Sequence, residues 1–162
     1  MMSAPAVQLR LVEVVRAGWG TALLTCPGLV LQHVHRLRAD TASRRVTRVL
    51  GARQLGQAVL SGVAPSPEVL AMGVWVDAAH AVTAVAFSLS DRTRWRAGVT
   101  DAVIAAVWAA LGYRDLVHGR GTRPGHDRRR DAAARFVLHH VPGGAPLLRR
   151  TSVDRRSPQE TT

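Results

Sequence analysis

The stretch VLAMGVWVDAAHAVTAVAFSLS, residues 69–90, limits what this chain can fold into more than any other feature. It is apolar almost throughout, yet Asp77 and His80 sit near its middle. A helix needs about 20 such residues to cross a bilayer. In water the same segment would have to be buried on nearly all sides. Either way an acid and an imidazole are placed where solvent is scarce, and each then requires a partner.

The rest of the chain is read around that segment. Hydrophobic residues make up 47% of the 162 and aromatic ones only 4%, so the apolar mass is Ala, Val and Leu. All 22 basic residues are Arg; there is no Lys or Asn and a single Ile, Ile104. That bias matches a GC-rich genome, so the Arg excess is not read as selected phosphate chemistry. The charge still matters, because basic segments are drawn to anionic lipid or nucleic acid. Between Tyr113 and Thr162 there are eleven Arg against five acidic residues. One cysteine, Cys26, excludes an internal disulfide and a cysteine-cluster metal site. No signal peptide is expected, since Glu13 and Arg16 interrupt the only apolar run that could form its centre.

Four apolar segments precede the basic tail. In the first, residues 7–26, Arg10, Glu13 and Arg16 recur every three positions and share a face, with Leu9, Val12 and Val15 on another. Such a helix either spans the bilayer or lies along its interface. Pro27–Gly28 should end it, with LVLQHVHRL starting a short second piece. After a basic loop at 35–45 comes residues 46–64, which carry Arg53, Gln54 and Gln57. The turn PSPE offers Pro67 as the first residue of the long helix. A second basic loop, 90–96, leads to residues 97–113, apolar apart from Asp101. The expected architecture is all-α: a membrane bundle of three to four helices over 1–113, then an Arg-rich tail over 114–162. Within that tail, 131–141 reads as an amphipathic helix begun at Asp131 and stopped by Pro142, and LLRRTSVDRRSPQETT as disordered. A soluble helical bundle is the alternative.

If both basic loops face the cytoplasm, depth can be matched between helices. Arg53 lies seven residues from Val46 and Asp101 seven from Arg94, each about 10 Å in. His80 and Asp77 lie about 15 and 20 Å from Ser90 on the same measure. Charged groups in hydrocarbon turn inward and pair. The expected interior cluster is Arg53, Gln57, Asp77, His80 and Asp101, with Arg53, Gln57 and Ser61 forming a stripe at spacing four. The small pairs Ala52/Gly56 and Ala58/Gly62 would let helices approach. Such a cluster acts either as glue between helices or as a ligand or proton site.

Other motifs carry less. His33/His35 and His139/His140 lack the i,i+4 partner and third ligand of a metal site, and no metal or cofactor is expected. Cys26 has no activating neighbour in sequence. RVLGARQLG lacks the strand and spacing of a nucleotide loop, and no nucleophile constellation supports an enzyme. The tail's RGTRPGHDRRR has no aromatic interleaving for base stacking, so nucleic acid is not the expected partner. With three spans after the first basic loop, the tail would lie opposite both basic loops.

Through RVLGARQLGQAVL, GVWVDAAHAVTAVAF and SDRTRWRAGVTDA, the chain over about 7–113 resembles small uncharacterised four-helix bacterial membrane proteins of the DoxX-like or domain-of-unknown-function class. The resemblance implies a helical bundle in the plasma membrane and no assigned activity. The expectation is a multi-pass cell-membrane protein without enzymatic activity. Its partners would be the lipid bilayer and either another membrane protein or a second copy. The alternatives are a small proton-coupled transporter or ligand carrier using Asp77, His80 and Arg53, and a soluble basic protein binding nucleic acid.

Overall fold

The computed structural model describes residues 11–62, 65–119 and 128–153, so Arg10 and the last nine residues lie outside them. Seven helices occupy the described residues: α1 (Leu11–Thr25), α2 (Pro27–His33), α3 (Thr41–Ser61), α4 (Pro67–Ser90), α5 (Trp95–Val117), α6 (Arg128–His140) and α7 (Gly144–Val153). Local chemistry sets their ends. Asp40 caps α3 by accepting the Ser43 N–H at 2.7 Å, and Ser66 caps α4 by accepting that of Val69. Pro27 and Pro67 stand in the first turns of α2 and α4, where a missing N–H costs nothing. Gly62, at φ 60°, ends α3 in a conformation that side chains disfavour.

Two antiparallel pairs make the body. α1 lies along α3, with α2 folded back at its end, and α4 lies along α5. The first pair is close because Gly20 faces Gly51: a Cβ on Gly51 would stand 2.8 Å from the Gly20 carbonyl oxygen. Of the two small pairs expected from sequence, Ala58/Gly62 has Ala58 buried, while Ala52/Gly56 does not perform this role. Ala52 and Gly56 are exposed, and a Cβ on Gly56 would meet nothing.

Several helices are apolar outside and polar or small inside. α1 buries Glu13, Arg16 and Gly20 while exposing Leu11, Val14 and Val15. α3 buries Ser43, Thr47, Gly51, Gln54 and Ala58 while exposing Val46, Val49 and Val59. The charged face of α1, expected from sequence to favour the bilayer interface, is its packed side. On α5 the exposed stripe is Val99, Val103 and Val107.

Among the described residues an apolar core cluster forms at one end, where Leu70, Ala71, Leu116 and Leu138 meet. Leu138 belongs to α6, and this region corrects the reading of the tail. α6 begins at Arg128 rather than Asp131, and α7 is helical through Val153 where disorder was expected. Asp131 accepts a hydrogen bond from Ser66, Arg135 pairs with Glu68 at 3.3 Å, and Trp75 donates to the Pro142 carbonyl at 2.9 Å. These partners keep a nearly constant offset in sequence, so α6 runs parallel to the first turns of α4 at its side.

Among the described residues, α4 alone is long and apolar enough to cross a membrane as a single helix. α1 and α2 meet that standard only together, across a 103° bend. α3 and α5, expected as marginal spans, do not meet it.

Candidate functional site

The two helix pairs meet at a buried set of charges. Asp77, on α4, has no exposed surface. Its Oδ2 accepts from Arg16 Nη2 at 2.8 Å and its Oδ1 from Arg53 Nη2 at 3.1 Å. Arg53 Nη2 also donates to the Val76 carbonyl at 3.0 Å. Arg16 is more deeply enclosed. Its Nη1 donates to Gln54 Oε1 at 3.2 Å, and its Nε lies 3.6 Å from Glu13 Oε2. The guanidinium sits 4.9 Å from the centre of the Trp108 ring, within cation–π range. Two cations and two carboxylates thus neutralise one another, which a low-dielectric interior demands.

A second pair lies nearer the basic loops. His80 Nε2 and Asp101 Oδ2 are 2.8 Å apart, joining α4 to α5. His35 follows, buried in the loop after α2. Burial holds its pKa below the ordinary 6.5, opposed by the nearby Asp101 charge and a hydrogen bond to the Ala97 backbone. Farther out, Arg94 reaches Asp40 at 3.2 Å, tying the two basic loops together.

The five residues singled out from sequence therefore fall into separate groups. Arg53 and Asp77 pair, His80 and Asp101 pair, and Gln57 bonds to neither. Arg53 meets Asp77 rather than Asp101 because α3 starts at Thr41, not Val46. Arg53 is then twelve residues into its helix, about 18 Å, which matches the depth of Asp77 below Ser90. Sequence reasoning missed Arg16, Glu13, Gln54 and Trp108. The signal was present: Glu13, Arg16, Gly20 and Leu23 follow a three-four spacing, as do Gly51, Gln54 and Ala58. Polar and small residues repeating at that spacing among Val and Leu mark an inward face.

Gln57 lines a cavity of about 10 Å³ between the pairs, with Glu13, Ser61, Asp77 and Trp108 among the other walls. Trp108 is 8% exposed, and its indole N–H has no protein acceptor among the described residues. Neither amide atom of Gln57 has a partner either. A polar space of about this volume is at the lower limit of what one water requires.

Comparison with known proteins adds no identity: no family model, no curated protein and no solved structure matches this chain.

Proposed function

We propose that this chain is an integral membrane protein with no enzymatic activity, acting as a structural or interaction component of the cell membrane. One observation carries the reading: α1 and α3 bury charged, polar and small residues and turn Val and Leu outward. In water that arrangement forfeits the hydrophobic effect along both helices. In lipid the outward side chains are solvated and the inward charges pair.

The geometry of α5 supports it. Trp95 and Tyr113, both exposed, bracket the Val99–Val103–Val107 stripe at a separation of eighteen residues. That spans about 27 Å of helix, close to the roughly 30 Å of bilayer hydrocarbon. Aromatic side chains favour the two interfaces. Arg44, Arg45 and Arg48 are exposed in the first two turns of α3. Side chains on a helix lean towards its N-terminus, so these three extend back to the headgroups.

The test is extraction of isolated membranes with alkaline carbonate. The protein stays in the pellet under this reading, and release into the supernatant refutes it. A release would favour a soluble basic protein instead.

A second reading, a small proton-coupled carrier, draws on the cavity that touches Asp77. The cavity is too small for a solute, so transport requires the two helix pairs to part. Proton flux into vesicles, lost in Asp77→Asn while the fold is kept, would favour it.

A further inference from the structure

The end of the molecule that carries the α2–α3 and α4–α5 connections combines two properties that rarely share a surface. Arg36, Arg38, Arg92 and Arg96 are exposed there, and none has a carboxylate partner among the described residues. Arg44, Arg45 and Arg48 continue the charge down the start of α3. The helices that these connections join also carry large apolar side chains open to the surroundings: Phe87 is 76% exposed, Leu89 81%, Leu29 58% and Trp95 51%. The Asp40–Arg94 ion pair links the two loops, so the cations of both lie at one end of the molecule.

We infer that this end binds the headgroups of anionic phospholipids, the arginines taking the phosphodiester and the exposed apolar side chains entering the acyl boundary. The inference rests on the membrane reading above and adds the class of lipid. Nucleic acid would use the charge but leaves Phe87, Leu89 and Leu29 in water. Only Phe87 and Trp95 among the exposed apolar side chains at this end are aromatic, fewer than the succession of stacking platforms that single-stranded recognition uses. A zwitterionic bilayer satisfies the apolar residues but leaves the arginines without counter-charge. An anionic surface satisfies both, each cation near it contributing on the order of 1 kcal/mol. The arrangement also matches the bias of basic loops towards the cytoplasmic leaflet, where anionic lipid is concentrated.

The experiment uses the full chain, purified in a neutral detergent and stripped of lipid. Thermal unfolding is followed while phosphatidylglycerol or phosphatidylcholine is added at equal mole fraction. Phosphatidylglycerol should raise the midpoint by several degrees and phosphatidylcholine should not. Inorganic phosphate at matched ionic strength should do nothing, which separates a lipid headgroup from a free anion. In the combined variant R36Q/R38Q/R92Q/R96Q the apparent affinity for phosphatidylglycerol should fall at least about tenfold. R129Q/R150Q, at the other end, should bind like the wild type. Should the four-site variant fold poorly, the wild type in 0.5 M salt (about a 4 Å screening length) serves in its place and should lose most of the shift.

Equal shifts with both lipids, an unchanged affinity in the four-site variant, full reproduction by phosphate, or displacement of the lipid by a short DNA duplex would each overturn the inference. A chain that resists carbonate extraction yet shows no preference for the anionic lipid would sink this inference alone. Release by carbonate would sink the membrane reading on which it stands.

Discussion

At the scale of single residues, Asp77 has the largest effect on the whole. It is fully enclosed and joins two arginines that arrive from different helices. Removing its charge leaves two guanidiniums facing one another in a medium that screens them poorly. Asp77→Asn should therefore lower stability by about 3–5 kcal/mol, as breaking a buried ion pair does. Asp101→Ala, in a part-buried pair with His80, should cost only about 1–2 kcal/mol. Chemical denaturation of the purified variants in detergent checks both, and equal losses would contradict the ranking. His35 supplies a pH dependence whose sign follows from burial. Its folded pKa is lowered, so the unfolded chain takes up the proton first as pH falls. Its contribution is complete above about 6.5 and declines as the pH drops below that value towards the lowered folded pKa. Midpoints recorded between pH 5 and 8 should show a slope that His35→Gln flattens.

At the scale of elements, close approach and capping decide what packs on what. Gly51→Val should force α1 from α3, because the new side chain would collide with backbone rather than with a movable group. A loss of about 1–3 kcal/mol or more is expected, read from the same denaturation curves. Ser66 holds two elements at once, capping α4 and donating to Asp131 of α6. Ser66→Ala should cost about 0.5–2 kcal/mol from the cap. It should also hasten proteolysis within the α6–α7 hairpin. Helix punctuation was legible in the sequence: Pro27 and Pro67 mark the starts of α2 and α4, and Pro142 follows the end of α6. Facing was not. The charged face of α1 was read as favouring the bilayer interface, whereas Arg16 turns inward to Gln54 and Asp77. The start of α3 was set five residues late, because Thr41–Arg45 is polar and its cap depends on Asp40, a residue that equally suits a loop. α7 escaped notice because a Pro-Gly-Gly sequence signals a stop and says nothing of a restart at its own second glycine.

At the scale of the whole molecule, the surroundings determine which side chains are stabilising. Val103 lies in the middle of the exposed stripe on α5. In a bilayer, Val103→Arg should cost about 2.5–3.5 kcal/mol on insertion scales and deplete the membrane-integrated fraction. On a wetted surface the same change would be harmless or would improve solubility. Fractionation of cells expressing the variant separates the two. The all-helical architecture was within reach of spacing arguments, whereas the depth match set Arg53 level with Asp101 and missed its pairing with Asp77. The junction as a whole was out of reach, since Arg16 enters it from a segment sixty-one positions away in sequence. Only the three-dimensional crossing of the two pairs brings these residues together.

That crossing has a consequence for how the protein is made. The first pair brings two guanidiniums and one carboxylate to the junction, and the second pair brings the missing acid. During synthesis the earlier half is therefore a cation awaiting its counter-ion, and each half carries the address of the other. A chain interrupted midway would display that uncompensated charge on its surface, so incompleteness would be visible to any machinery that inspects newly made proteins.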